Sequence, residues 1–133
     1  MSWKVVFDEG FEPEFDELSQ AVQDELLAHA KLLERFGPEL GRPRVDTLKG
    51  SAFANMKELR LKADNGVWRV AFAFDLDRKA ILLAGGDKSG GSGQRFYKQL
   101  IRKADERFGA HLARLKDKVA LGKKARSKKG KRR

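Results

Sequence analysis

Two arginines, Arg60 and Arg69, stand in short alternating stretches on either side of a turn-forming Asp64-Asn65-Gly66. A planar guanidinium fork meets two phosphate oxygens at once, which a lysine ammonium cannot do. Fixed cations of this kind stabilise negative charge that develops on a transferring phosphoryl group. Further along, Asp87 and Lys88 follow Gly85-Gly86, where missing side chains permit a close backbone approach. Tyr97, the single tyrosine, lies between Arg95 and Lys98. Its ring could stack on an unpaired base, or its hydroxyl could help move a proton. Lys98 and Arg102 are four residues apart on one helical face, and Lys49 precedes Gly50 in a loop-like stretch. The plain alternative for each is ordinary surface chemistry. It would give a solvated strand face with ion pairs such as Glu58 with Arg60, a turn at Asp87, and core packing of Tyr97 beside Phe96. The glycine-rich stretch is not a P-loop, because it lacks the Gly-Lys-Ser/Thr order ahead of a helix.

The charge balance points to the same class of ligand. The chain has 133 residues and a net charge of +10, unevenly spread. Residues 1–39 hold 3 basic and 10 acidic side chains, residues 40–115 hold 16 and 8, and residues 116–133 hold 10 and 1. A basic body behind an acidic first third directs polyanions, nucleic acid above all, to one surface rather than to the whole molecule. The length suits one domain with its own core. With no cysteine, disulfides and thiolate zinc sites are excluded, which fits a reducing cytoplasm. The opening residues lack the basic-then-apolar organisation of a signal peptide, and no apolar run reaches the ~20 residues needed to span a bilayer. We therefore expect a soluble cytoplasmic protein that does not engage membranes.

The elements that must position these side chains follow from periodicity. Trp3 to Phe7 reads as an opening strand. Pro13 with Glu14, Asp16 and Glu17 marks a helix start, and Ser19 restarts a second helix. There Val22, Leu26, Ala30 and Leu33 make one apolar stripe, ended by Gly37-Pro38. Residues 39–55 read as a loop. Three strands follow, Met56 to Ala63, Val67 to Phe74 and Lys79 to Ala84. The first places Leu59 and Leu61 opposite Glu58, Arg60 and Lys62. The second places Trp68, Val70, Phe72 and Phe74 opposite Arg69, Ala71 and Ala73, and the small residues beside Arg69 suggest room for a ligand. The third is almost continuously apolar, as a central strand would be. Phe96, Leu100, Ala104, Phe108 and Leu112 then recur every four residues as a last amphipathic helix. From about Lys116 the apolar pattern stops, so residues 1–115 are expected to form the domain and 116–133 a basic, disordered tail. The expected fold class is α+β, with helices packed on a twisted sheet.

That order, with Gly41-Arg42-Pro43, Leu48-Lys49-Gly50, Glu58-Leu59-Arg60, Trp68-Arg69-Val70, the run Leu82 to Lys88, Arg95-Phe96-Tyr97 and Ala104-Asp105, resembles the HigB-type branch of the RelE/ParE superfamily of toxins. The resemblance covers about residues 3–115. It implies a type II toxin–antitoxin protein that cleaves messenger RNA, usually on the ribosome, without metal or cofactor. It places the active surface on the concave face of the sheet and the start of the last helix, blocked by a helix-turn-helix antitoxin of the HigA kind. In that pattern Arg60 and Arg69 face the RNA.

Metal-free RNA cleavage needs a base for the ribose 2′-hydroxyl, charge stabilisation for the phosphorane, and a proton for the departing 5′-oxygen. Arg60 and Arg69, which the resemblance turns toward the RNA, are candidates for this chemistry together with Asp87, Lys88 and Tyr97, read from their own residue types. Lys49, Arg95, Lys98 and Arg102 are candidates for RNA contacts. Asp87 could be the base or could orient Lys88, and Lys88 could stabilise the transition state or donate a proton. Some relatives use a histidine, but His29 and His111 fall outside these motif positions and are expected to be structural or surface residues. Two other functions share the fold: a ParE-like topoisomerase poison, and a non-catalytic nucleic-acid-binding module. The convergent cations favour the nuclease.

Overall fold

Two periodicities in the chain build two layers of cover on one sheet. The computed structural model describes residues 3–130, with side chains described for residues 3–121. The chain forms β1 (Lys4–Phe7), α1 (Phe11–Asp16), α2 (Gln20–Phe36), a 3-10 turn (Gly37–Glu39), β2 (Val45–Thr47), β3 (Lys57–Ala63), β4 (Gly66–Phe74), β5 (Lys79–Asp87) and α3 (Gly93–Gly130). Ser19 caps α2 by accepting the Val22 N–H at 3.4 Å. Gly37 ends that helix at φ 57, a left-handed conformation that favours glycine.

The five strands form one sheet in the order β1-β5-β4-β3-β2. β1 runs parallel to β5, and the remaining pairs are antiparallel. The α+β expectation is met, with one added strand: β2 lies in the stretch read as a loop, where Val45 to Thr47 pair with Leu59 to Lys57. Three residues between turn signals carry too short a pattern to be recognised as a strand.

Strand alternation sends the apolar side chains to two separate cores. Leu59, Leu61, Val70, Phe72, Ala80 and Leu82 meet Phe11 of α1 and Val22, Leu26 and Leu33 of α2. On the other face Ala71, Ala73, Ile81 and Leu83 meet Leu100, Ala104 and Phe108 of α3. Each large side chain fully buried in this way contributes about 1.5–3 kcal/mol. The space expected beside Arg69 is therefore filled. Ala71 and Ala73 are wholly buried, and their small size lets α3 lie close on the sheet.

A bulge explains the unbroken apolar run of β5. Ala71 pairs with Ala84 but Phe72 pairs with Leu82, so Leu83 is an extra residue. Leu83 and Ala84 consequently both enter the α3 core, as an inserted residue in one strand allows. The carbonyl that the bulge displaces, that of Leu83, accepts the Arg107 Nη1 donor at 2.8 Å.

Helix α3 continues through Gly130, past Lys116, where the loss of apolar spacing suggested an unstructured tail. Lys, Arg, Ala and Leu are all good helix formers, so propensity extends the helix where no core demands it. Residues 131–133 and the side chains of 122–130 lie outside the described part. Among the described residues no helix is long and apolar enough to cross a membrane.

Candidate nucleic-acid interface

The register of β3 and β4 creates the central cluster. Arg60 and Arg69 are direct cross-strand partners, and Glu58 faces Ala71 two pairs further on. A strand places residues i and i+2 on one face, so Glu58, Arg60 and Arg69 all rise from the α3 side of the sheet. They do so beyond the alanines that α3 covers.

A single carboxylate oxygen organises the group. Glu58 Oε1 accepts the Tyr97 hydroxyl at 3.0 Å and the Arg60 Nε donor at 3.3 Å. Arg69 Nε lies 3.3 Å from the same oxygen, but off the line of a hydrogen bond, and is buried with no hydrogen-bond partner among the described residues. Arg69 is otherwise tied to the backbone, donating from Nη1 to the Trp68 carbonyl at 3.0 Å. Glu58 is 4% exposed and Arg69 9%. Buried charges persist only when paired, and here a carboxylate is shared between two guanidinium groups. The Arg60 side chain is 36% exposed and faces outward.

Tyr97 joins this cluster from the first turns of α3. Burial, together with the nearby Glu58 charge, raises its pKa above the ordinary phenol value, against a lowering contribution from Arg69. The hydroxyl therefore stays a donor at neutral pH. Lys88 Nζ sits over the Tyr97 ring, 5.6 Å from its centre, within the range of a cation–π contact.

These groups border an open groove of about 720 Å³ between the start of α3 and the segment around β2. Lys49, Arg60, Lys88, Tyr97 and Lys98 all line it, with Glu58 at its base. The loop carrying Lys49 is pinned to α3. Asp105 accepts the Ser51 hydroxyl and, at 2.8 Å, the Ala52 N–H. Five of the nine residues singled out from the sequence thus meet in one groove, and Arg69 braces it from beneath.

The other three lie elsewhere. Asp87 is opposite Trp68 in the ladder, and its Oδ1 accepts Val67 N–H at 3.0 Å, Ser89 N–H at 2.9 Å and the Ser89 hydroxyl at 2.6 Å. Those hydrogen bonds, the Ser89 hydroxyl foremost, lower its pKa, which suits an anchored turn better than a proton acceptor. Arg102 borders a separate cavity of about 300 Å³ beside Gly85 and Gly86, and Arg95 is exposed on the first turn of α3. The glycines make their close approach to the protein's own rings. A Cβ at Gly85 would lie 3.4 Å from Phe11 Cζ, and one at Gly86 would lie 3.0 Å from Phe96 Cε1.

Glu58 is the centre of this cluster, and the sequence alone placed it only in a surface ion pair. Its spacing from Arg60 showed a shared face, but its burial depends on Tyr97 arriving from 39 residues away. His111 sits at the far end of α3, bonded to Asp75 at 2.8 Å. Among the described residues no group of His, Cys, Asp or Glu is arranged to hold a metal.

Comparison with known proteins agrees with this architecture. A form of the Escherichia coli toxin RelE with two arginines replaced by alanine, solved in the free state, superposes with a TM-score of 0.57. It covers 77% of this chain and 97% of RelE at 14% identity, which establishes a shared RelE-like fold. HigB2 of Mycobacterium tuberculosis, a candidate toxin, is 44% identical over 101 residues, covering 75% of this chain and 50% of HigB2. HigB3 of the same organism, also a candidate toxin, is 54% identical over 82 residues, covering 62% of this chain and 69% of HigB3. The chain thus spans about half the length of HigB2. Residues 13–109 match the family model described as phage derived protein Gp49-like (DUF891), and the chain is a member of that Gp49-like family.

Proposed function

We propose that this protein is a toxin of a HigB/RelE-type toxin–antitoxin system and acts as a metal-independent endoribonuclease on messenger RNA at the ribosome. The observation that carries this reading is the convergence of Arg60, Arg69 and Tyr97 on Glu58, with Lys88 beside the Tyr97 ring, in one open groove. The naming of HigB2 and HigB3 as candidate toxins supports the same class.

In this reading the RNA phosphate to be cut lies in the groove against Arg60 and Lys88. The 2′-oxygen forms a bond to phosphorus as its proton passes to solvent water, and the bond to the 5′-oxygen breaks as that oxygen takes a proton from the Lys88 ammonium. Cyclic phosphate and a free 5′-hydroxyl result. Arg60 stabilises the phosphorane because its fork is already held by Glu58 and needs little reorganisation. Lys88 is the cation placed to assist the departing oxygen. Tyr97 stacks on a base while its hydroxyl keeps Glu58 in position. Lys49 and Lys98 hold flanking phosphates. Asp87 contributes by fixing the turn that carries Lys88. The basic segment 116–133 adds sequence-independent affinity for ribosomal or messenger RNA through counterion release. A HigA-like helix-turn-helix antitoxin would silence the protein by laying an acidic segment over the groove, and the setting would be the cytoplasm.

Induced expression of the wild type and of an Arg60→Ala/Lys88→Ala variant, followed by mapping of RNA 5′-ends, tests this reading. New ends inside translated messages, absent from the variant, are expected. Growth arrest with intact RNA would instead support topoisomerase poisoning. Absence of both effects would leave a nucleic-acid-binding module.

A further inference from the structure

A second cavity, of about 470 Å³, opens on the opposite side of Arg60. Its walls come from α2, through Glu25 and His29, and from the β3 edge with the residues beside it, through Arg44, Arg60, Lys62 and Arg69. β2 pairs with β3 only as far as Leu59. Past that point the Arg60 N–H donates instead to the Arg44 carbonyl at 2.8 Å. This bond sets Arg44 next to Arg60 just where the sheet edge becomes free. Three arginines and a lysine therefore surround a cavity that holds one carboxylate, Glu25. Arg69, nearly buried, and the Arg60 Nε both already meet Glu58, which leaves Arg44, Lys62 and the outer edge of the Arg60 guanidinium against Glu25.

We infer that this cavity is a second phosphate-binding subsite, which takes the phosphodiester of a nucleotide flanking the one held in the groove. The inference rests on the proposed RNA-cleaving role and extends it. Arg60 borders both cavities, so a strand leaving the groove passes over its guanidinium and arrives among Arg44 and Lys62. Guanidinium forks suit a diester, which presents two unbridged oxygens. His29 fits the same ligand. Its Nδ1 lies 2.9 Å from the Glu25 carbonyl, and a carbonyl can only accept. Nδ1 therefore carries the proton, and Nε2 is the ring nitrogen left to accept from a sugar hydroxyl when the ring is neutral. Single-stranded RNA is the occupant these features favour, because a folded duplex would not enter a recess between a helix and a sheet edge.

The test uses the full chain and 2′-O-methyl RNA oligonucleotides, which cannot be cut, in fluorescence anisotropy titrations. A trinucleotide is short enough for the groove alone, whereas a heptanucleotide reaches both sites. An Arg44→Ala/Lys62→Ala variant removes two exposed cations and leaves the Glu58 cluster intact. We expect heptanucleotide affinity to fall roughly tenfold, with trinucleotide affinity unchanged. The logarithmic salt slope for the heptanucleotide should also fall by about 0.7 for each phosphate no longer neutralised. Equal heptanucleotide affinity in variant and wild type would overturn the subsite while leaving the RNA reading standing. An equal loss for both lengths would also overturn it, since the two cations would then be acting on the groove. Failure of the wild type to bind either oligonucleotide at low salt would overturn both readings together.

Discussion

The Tyr97 hydroxyl and Glu58 Oε1 meet at 3.0 Å, joining the first turns of α3 to the middle of the sheet at the one carboxylate oxygen that also faces Arg60 and Arg69. The phenol is held as a donor by its raised pKa, which makes it a poor proton shuttle at neutral pH. Tyr97→Phe should therefore retain RNA cleavage within about tenfold and lose about 1.5–3 kcal/mol of stability, as for a hydrogen bond to a charged group. Tyr97→Ala, which removes the ring, should abolish cleavage. Single-turnover assays alongside thermal melts separate the two variants.

Removing the carboxylate is expected to cost more. Glu58→Ala leaves Arg69 buried without its counter-charge, and breaking a buried pair this way costs about 3–5 kcal/mol. Glu58→Gln keeps an acceptor for the Tyr97 hydroxyl and should lose less. Urea denaturation midpoints should fall in that order. A fall in cleavage for Glu58→Gln while its fold persists would mark Glu58 as a positioning residue.

The Lys49 loop depends on α3 through Asp105, which binds Ser51 and Ala52. Asp105→Ala removes an ionised acceptor and should destabilise by about 1.5–3 kcal/mol. It should also weaken RNA binding by freeing Lys49, with little effect on the Glu58 cluster. Amide exchange should quicken in residues 49–55 before it quickens in β3.

Acid sensitivity should trace in part to Glu14. Arg107 binds it at 2.9 and 2.6 Å, and this hydrogen bonding is the main cause of a folded pKa below the ordinary 4.5. A group whose folded pKa is depressed stabilises the fold above its unfolded pKa and loses that contribution as pH falls through the folded value. Wild-type stability should therefore drop as pH falls below 4.5. Arg107→Ala should be less stable at neutral pH and show a shallower acid dependence. Melting temperatures across that range give the comparison. The same variant also deprives the bulged Leu83 carbonyl of its donor.

Gly86 is close to the underside of α3. A Cβ there would stand 3.0 Å from the Phe96 ring, so Gly86→Ala should lose about 1–3 kcal/mol through overpacking. Gly93→Ala, with open space around its Cβ position, should have no such packing cost. Parallel melts of the two variants check the contrast.

Much of this architecture is legible in the chain itself. The spacing of Val22, Leu26, Ala30 and Leu33 gives α2 its buried face, and alternation along Leu59-Arg60-Leu61 sets the arginine opposite the core. Both are local periodicities, fixed by 3.6 and 2 residues per repeat and readable without knowing what packs against them. Ala71 and Ala73 mislead because small residues fit a ligand and a close helix equally well. β2 escapes a sequence reading because its three residues become a strand only through their partner in β3.

The sequence by itself determined which side chains share a face, the positive character of the second half, and the cations available to meet a phosphate. The tertiary structure alone decided which of them act together. The β3–β4 register placed Arg60 against Arg69, and the seating of α3 brought Tyr97 to Glu58. The Val67 N–H, 20 residues away, ties Asp87 across the sheet as an anchor. These outcomes depend on meetings between residues distant in the chain, and such meetings occur only once burial of the two cores has fixed the distances between elements.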